Sequence, residues 1–458
     1  MLLRGKAASR KTCAFWRYNM ANHRMAAVPW FLLLGCMTVV AALTSQAVAE
    51  EPAAWAKAHA DELVELYRHF HAHPELSFFE TETAARFAKE LKAAGAEVTE
   101  QVGKTGVVGI LKNGDGPTVM LRTDLDALPV TEATGLAYAS QVKVKTEAGE
   151  TGVMHACGHD IHITNLIGVA RWFAAHKDQW QGTLVFIGQP AEERGSGAKA
   201  MLEDGLFTKF PKPDYAVALH CDSELATGKV GIRGGYALAN VDSVDITLIG
   251  KGGHGAYPHT TVDPIVMAAQ LILSLQTIVS REIKPIEPCV ITVGSIHAGT
   301  KHNIISGECQ LQLTVRSYSD EVRQQLHDAI VRKTKAVAVG AGAPEPKLTF
   351  SEGTPAMFND EKLADRLRGV FVRELGAASI DDPEPSMGGE DFSQYGRAGV
   401  PILMYRLGTI EPRRLARMKE LGQSPPSLHS PLYYPDAEET LVTGVHTMVA
   451  ATQELLKK

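Results

Sequence analysis

Four short apolar runs, at 107–111, 118–121, 183–188 and 215–219, are separated by stretches of helical periodicity such as 161–175 and 198–203. Alternation of this kind folds most readily as a parallel sheet with helices on both faces. Two amphipathic helices precede the runs, one marked by Leu63, Leu66 and Phe70, the other by Ala84, Phe87, Ala88 and Leu91 and ended by Gly95. In an open α/β sheet, ligands bind beyond the carboxyl ends of the strands, which makes the polar residues after each run the ones to inspect. Asp124 and Asp126 follow the second run, Glu192 and Glu193 the third, and His220, Cys221 and Asp222 the fourth.

A second region reads differently. Strands are expected at 241–250, 290–296, 310–316 and 347–350, with helices at 262–280 and 320–337. The order βαββαβ is the split ferredoxin-like pattern. Because a Gly-rich segment at 386–392, a strand at 401–405 and His429 lie beyond it, this region is an insertion. The expected organisation is a catalytic domain in two parts, 50–238 and 352–458, interrupted by a smaller domain at 239–351.

Residues 1–49 stand apart. Six cationic residues and no acid accompany an apolar segment at 26–43 and a small-residue Ala47-Val48-Ala49 site. This is the grammar of a signal peptide, and it implies export to the periplasm or beyond. An uncleaved membrane anchor is the alternative. Cleavage would leave 40 Lys and Arg against 52 Asp and Glu, a net charge of −12. That balance disfavours a nucleic-acid partner. The four cysteines left, Cys157, Cys221, Cys289 and Cys309, are too few for a disulfide-dense scaffold.

Met154-His155-Ala156-Cys157-Gly158-His159-Asp160 is open by itself to three readings: half of a metal site, a Cys/His catalytic pair, or a turn. The partners elsewhere favour metal. Cys157, His159, Glu193, His220 and His429 supply one thiolate, three imidazoles and one carboxylate, a set suited to borderline transition metals rather than calcium or magnesium. Five ligands exceed what one tetrahedral ion with an open position needs, so a pair of ions bridged by Cys157 fits better. In an extended strand exit Glu192 and Glu193 point to opposite sides, leaving Glu193 for metal and Glu192 as general base. Asp124 and Asp126 are expected to orient ligand imidazoles from behind. A Cys157-nucleophile hydrolase is the competing class, and it leaves Glu193, His220 and His429 without a role.

Taken in order, Asp124-Leu125-Asp126-Ala127-Leu128-Pro129, the Met154 to Asp160 motif, Pro190-Ala191-Glu192-Glu193, Leu219-His220, Gly250-Lys251-Gly252-Gly253-His254 and His429-Ser430-Pro431 resemble the metal-dependent aminoacylase and carboxypeptidase clan. Within it, the resemblance is to the branch of hippurate hydrolases, N-acyl-amino-acid amidohydrolases and auxin-conjugate hydrolases. It implies a mixed α/β sheet sandwiched by helices, with the ferredoxin-like insertion as lid and homodimer interface. It also implies two divalent ions per subunit (zinc, manganese or cobalt), bound at the positions of Cys157, His159, Glu193, His220 and His429, with Glu192 as base. By the same resemblance His254 stabilises the oxyanion, sometimes from the neighbouring subunit. Asn303 and Arg316 bind the substrate carboxylate, and Gly388 and Gly389 line the pocket. The implied reaction is hydrolysis of an N-acyl or N-aroyl amino acid, with dipeptidase or carboxypeptidase activity as the nearest alternative. Ser306, where the family pattern has proline, and the extra His297 and His302 leave substrate choice open.

Other conspicuous residues have plainer readings. His69, His71 and His73 end a helix, where residues two apart face different ways, so a joint metal role is disfavoured. Asp160 suits a helix cap. His162 is either support for the metal or a solvent-facing helix residue.

Overall fold

The structure, a computed structural model, describes residues 50–146, 149–351 and 353–457. The expected signal peptide, residues 1–49, lies outside the described residues. Eight strands form the main sheet, in the order Glu97–Val102, Gly106–Asn113, Gly182–Gln189, Thr118–Asp124, Tyr215–Ala226, Ile402–Ile410, Val230–Gly231 and Ile380–Asp381. The four strands in the middle of this order run parallel. At one edge Glu97–Val102 and Gly106–Asn113 pair antiparallel, so the sheet is mixed, as the resemblance implies, and not wholly parallel. Only Gly103-Lys104-Thr105 joins those two strands, too short a link for a parallel crossover.

Alternation along each strand feeds two cores. Val119 and Leu121 enter one layer with the helices Ala60–Ala72, Thr81–Ala93, His159–Ala175 and Ala437–Leu456. Met120, from the same strand, enters the other with Ala198 and Met201 of Gly197–Glu203. The predicted stop at Gly95 is real: its φ of 83° closes the Thr81–Ala93 helix, with the Gly95 and Ala96 amides bonded back to Lys92 and Leu91. The Tyr215–Ala226 strand runs well past the expected 219, which places His220 and Cys221 inside the strand, paired with Arg406 and Leu407.

The inserted region forms its own four-stranded antiparallel sheet, in the order Cys289–Ala298, Glu308–Ser317, Asn240–Ile249 and Lys347–Ser351. This is the strand order of the ferredoxin-like pattern. Two helices, Pro264–Thr277 and Asp320–Gly340, cover one face through a separate cluster including Val244, Ile246, Leu271, Leu313 and Leu326. Asp263 caps the first helix through the Ile265 amide, 2.9 Å away, and sets its start at Pro264. The opposite face carries Val241, Ser243, Arg316 and Ser351, and it fronts the cleft described next.

Candidate functional site

The motif around Cys157 turns sharply because Gly158 takes φ 81°. A Cβ there would lie 2.8 Å from the Cys221 sulfur, so glycine is required for space as well as for conformation. The turn presents Cys157 and then starts the His159–Ala175 helix. His429 reaches the same place from a loop pinned by its own amide on the Ala156 carbonyl, 2.8 Å away. Its φ of 67° is a strained left-handed conformation held by that loop.

The five predicted ligands converge. The Cys157 sulfur lies 3.3 Å from His429 Nε2 and 3.6 Å from His220 Nε2. Glu193 Oε1 lies 3.5 Å from His429 Nε2 and 3.8 Å from His159 Nε2. Two donor triads result, Cys157 with His159 and His220, and Cys157 with Glu193 and His429, and the thiol belongs to both. The imidazoles are oriented from behind. His159 Nδ1 donates to the Asp126 carbonyl and His220 Nδ1 to the Cys221 carbonyl, each at 2.8 Å, which leaves both Nε2 lone pairs facing the site.

Charge also favours a cation here. His159 Nε2 and Glu193 Oε1 are buried without hydrogen-bond partners. Burial, then the carboxylates Glu193 and Glu192, push the Cys157 thiol well above its usual range. Glu192 is likewise raised by burial, Glu390 and Glu193, and burial is the main cause of Glu193 rising to about 7. Soft and borderline donors crowded into a pocket with excess negative charge fit divalent transition metals.

The extended-exit geometry expected of Glu192 and Glu193 is not what the structure shows. Ala191 takes φ 47° and residues 192–195 form a turn. Both carboxylates then approach His159 Nε2, at 3.9 and 3.8 Å. The cause is the Asp126 carboxylate, which receives the Glu192 and Glu193 amides at 3.1 and 3.0 Å and the Ser77 hydroxyl at 2.6 Å. Asp126 thus positions the acidic pair with its carboxylate and His159 with its carbonyl. Asp124 also places its Oδ2 3.7 Å from His159 Nε2. It accepts from His162 Nδ1 at 2.7 Å, and His162 Nε2 receives the Cys221 amide at 2.9 Å, steadying the strand that carries His220. His162 is accordingly a buried support and not a solvent-facing residue.

Sequence reasoning missed Arg122. It is buried and bonded to Asp124 at 2.6 Å, Glu390 at 2.8 Å, Asp391 at 3.2 Å and Gln189 at 3.1 Å. This ties the ends of two strands to the Gly-rich segment. Its place on a strand otherwise buried on both faces was the available signal.

Of the three neighbouring histidines, only His71 is buried. It bonds Asp160 at 2.7 Å and Glu132 at 3.1 Å. Asp160 is not the expected cap: the N-cap is Gly158, and Asp160 sits inside the first turn, where it accepts the Ile161 amide at 2.9 Å and pairs with His71. Burial would lower the His71 pKa, but the two carboxylates outweigh it and raise the value from 6.5 to about 9. A raised pKa stabilises the fold fully below about pH 6.5, and the contribution is lost as pH rises through about 9. His71→Gln is expected to cost about 3 kcal/mol at pH 6 by leaving Asp160 buried and unpaired. Thermal melts should show the gap to the parent protein narrowing above pH 9.

A cleft of about 720 Å³ opens over the donors, lined also by Arg194, Ser243, Arg316, Thr354, Gly388, Gly389 and Arg406. A Cβ on Gly389 would meet Val241 at 2.2 Å, so the Gly-rich loop can approach the inserted sheet only as glycine. His254 and Asn303 do not line this cleft. They sit together at an exposed two-stranded ladder of the inserted region, where His254 pairs with Ile304 and the Gly255 amide bonds the Asn303 carbonyl at 2.9 Å.

The sequence profile of peptidase family M20/M25/M40 matches residues 120–450. The chain belongs to this family. As an M20 member it is a metal-dependent hydrolase acting on amides. A solved Bacillus subtilis structure, described as a dinuclear metal-binding peptidase of the M20 family, superposes with a TM-score of 0.72 at 30% identity, over 87% of this chain and 99% of that one. N-acetyl-L-cysteine deacetylase of Bacillus subtilis is 38% identical over 335 residues, 73% of this chain and 77% of that protein. Hippurate hydrolase of Campylobacter jejuni is 38% identical over 334 residues, 72% of this chain and 84% of that protein. All four cysteines of this M20 chain beyond residue 49 are free, so Cys157 is available as a ligand.

Proposed function

We propose that this M20 enzyme hydrolyses the amide of N-acyl or N-aroyl amino acids, releasing the free amino acid and a carboxylic acid. The observation that carries the reading is the pair of donor triads sharing Cys157, with Glu192 beside them at the floor of a cleft. Cys157, His159, Glu193, His220 and His429 would hold two divalent ions, zinc, manganese or cobalt. When bound, such ions lower the pKa of water and polarise an amide carbonyl.

The chain's own residues supply the rest. Glu192, with its pKa raised by burial and by Glu390 and Glu193, takes a proton from the attacking water and returns it to the leaving nitrogen. Arg316 reaches the cleft from the inserted sheet and engages the substrate carboxylate, while Gly388 and Gly389 shape the cleft where their loop approaches that sheet. His254 and Asn303 lie away from the cleft of their own chain, which suits delivery across a homodimer interface, with His254 donating to the oxyanion.

The dimer would form through the inserted domain. Val266 and Leu273 lie two turns apart on one helix and are exposed, and the edge strand Cys289–Ala298 exposes Ile296. Leu273→Asp is expected to shift the protein from dimer to monomer in light scattering and to lower activity with it. An unchanged monomer in the parent protein would remove this interface. Export follows the reading of residues 1–49, and N-terminal sequencing of secreted protein should begin at Glu50.

The reaction is tested with acetyl, benzoyl and indole-acyl amino acids beside a dipeptide panel. Chelation should abolish turnover, and zinc, manganese or cobalt should restore it. Inactivation by thiol alkylation independent of metal would favour the cysteine-nucleophile class. Dipeptides turned over faster than every N-acyl amino acid would make the enzyme a dipeptidase.

A further inference from the structure

Arg406 has no counterpart in the chemistry described so far. It sits on Ile402–Ile410 in register with His220 of the neighbouring parallel strand, so the two side chains leave the sheet on the same face. Its other neighbour in the sheet is Gly231, where a Cβ would come within 3.2 Å of the Arg406 Cβ and 3.3 Å of Pro383, so only glycine lets the two strands and Pro383 pack together beside the arginine. Arg406 is half-buried, lines the cleft, and makes no hydrogen bond or ion pair among the described residues. Five N–H donors in a fixed planar fork are thus left to a ligand or to water.

Across the cleft, Arg316 is nearly as free. Its side chain donates only to Thr314, at 3.0 Å, and burial lowers its pKa, as expected where no carboxylate is paired with it. Arg194 adds a third guanidinium at the exposed rim. The acids in the same cleft are already engaged. Glu192 and Glu193 belong to the catalytic centre, and Glu390 is bonded to Arg122. Divalent ions would add further positive charge. An N-acyl amino acid with one carboxylate satisfies one arginine, and the cleft offers unpaired guanidinium on both walls.

We propose that Arg406 is a specificity-determining residue that selects N-acyl amino acids bearing a second carboxylate, while Arg316 takes the α-carboxylate. The inference rests on the amidohydrolase reading above. Arginine and carboxylate pair through two parallel hydrogen bonds, which gives direction as well as charge. Placed beside His220, Arg406 reads a group close to the scissile amide and not one far out on the substrate.

The second carboxylate can belong to the amino-acid side chain or to the acyl group, and two substrate pairs separate the cases. N-acetyl-L-glutamate is compared with N-acetyl-L-glutamine, and N-succinyl-L-alanine with its terminal amide, each by kcat/KM on the metal-loaded enzyme. The parent protein is expected to favour the dianion in one pair by about tenfold or more. In Arg406→Gln that ratio should fall to about one, and in Arg406→Lys it should lie between. Because the ratio is taken within each variant, a general loss of activity cancels. A parent ratio near one in both pairs overturns the proposal, as does a ratio that survives Arg406→Gln. If the metal-loaded enzyme hydrolyses none of these substrates and none of the acyl panel, the amidohydrolase reading itself falls; if it hydrolyses the neutral members without preference, only the role of Arg406 does.

Discussion

Glu192→Gln is expected to lower kcat by at least ~10²-fold while leaving bound metal and KM near those of the parent protein. Gln keeps the shape of the side chain, and the turn that holds it is built from backbone amides on Asp126, which the substitution does not touch. What disappears is a carboxylate able to accept a proton. Its surroundings raise its pKa through burial, Glu390 and Glu193, and so favour holding a proton between attack and departure of the amine. Steady-state kinetics beside metal analysis decides the matter. Turnover within a few-fold of the parent would give the base role to another group, and metal loss would make Glu192 a ligand, a reading kept in play by its 3.9 Å approach to His159 Nε2.

Cys157→Ser is expected to empty the centre. Losing an outer partner of a ligand already costs roughly 10–100-fold in metal affinity. Cys157 belongs to both donor triads, so its loss weakens both ions together. Serine is smaller and its hydroxyl resists deprotonation, and it offers a hard oxygen where a thiolate stood. Elemental analysis after desalting should show less than one ion per chain, and turnover should fall in proportion. A fully loaded, active variant would rule out a bridging role. Loss of one ion with the other retained would place Cys157 on a single metal.

The convergence of the five candidate donors was legible because the chemistry of each residue survives without context. Glu193 follows one strand of the sheet and His220 lies within the next, while a glycine turn and a loop bring Cys157, His159 and His429 to the same edge. The alternation of runs likewise predicted the layered fold and the ferredoxin-like insertion. Local conformation was less legible. Glu192 and Glu193 read as an extended exit, because nothing in Pro190-Ala191-Glu192-Glu193 announces that Asp126, 66 residues earlier, captures both amides and bends the chain. His162 was ambiguous for the same reason: its role depends on Asp124 and the Cys221 amide, neither near it in sequence.

The chain alone determined which atoms are available to hold metal and move a proton, since these are properties of side chains and of their order along alternating strands. Tertiary structure decided how they are held and what they face. It made Asp126 the anchor of the acidic pair, joined Arg122 to Glu390 and Asp391 across most of the chain length, and left Arg406 open beside His220. It also set His254 and Asn303 away from the cleft of their own chain. Such pairings depend on sheet register and long-range hydrogen bonds, which arise only when distant segments are brought into contact, and no local pattern of residues encodes them.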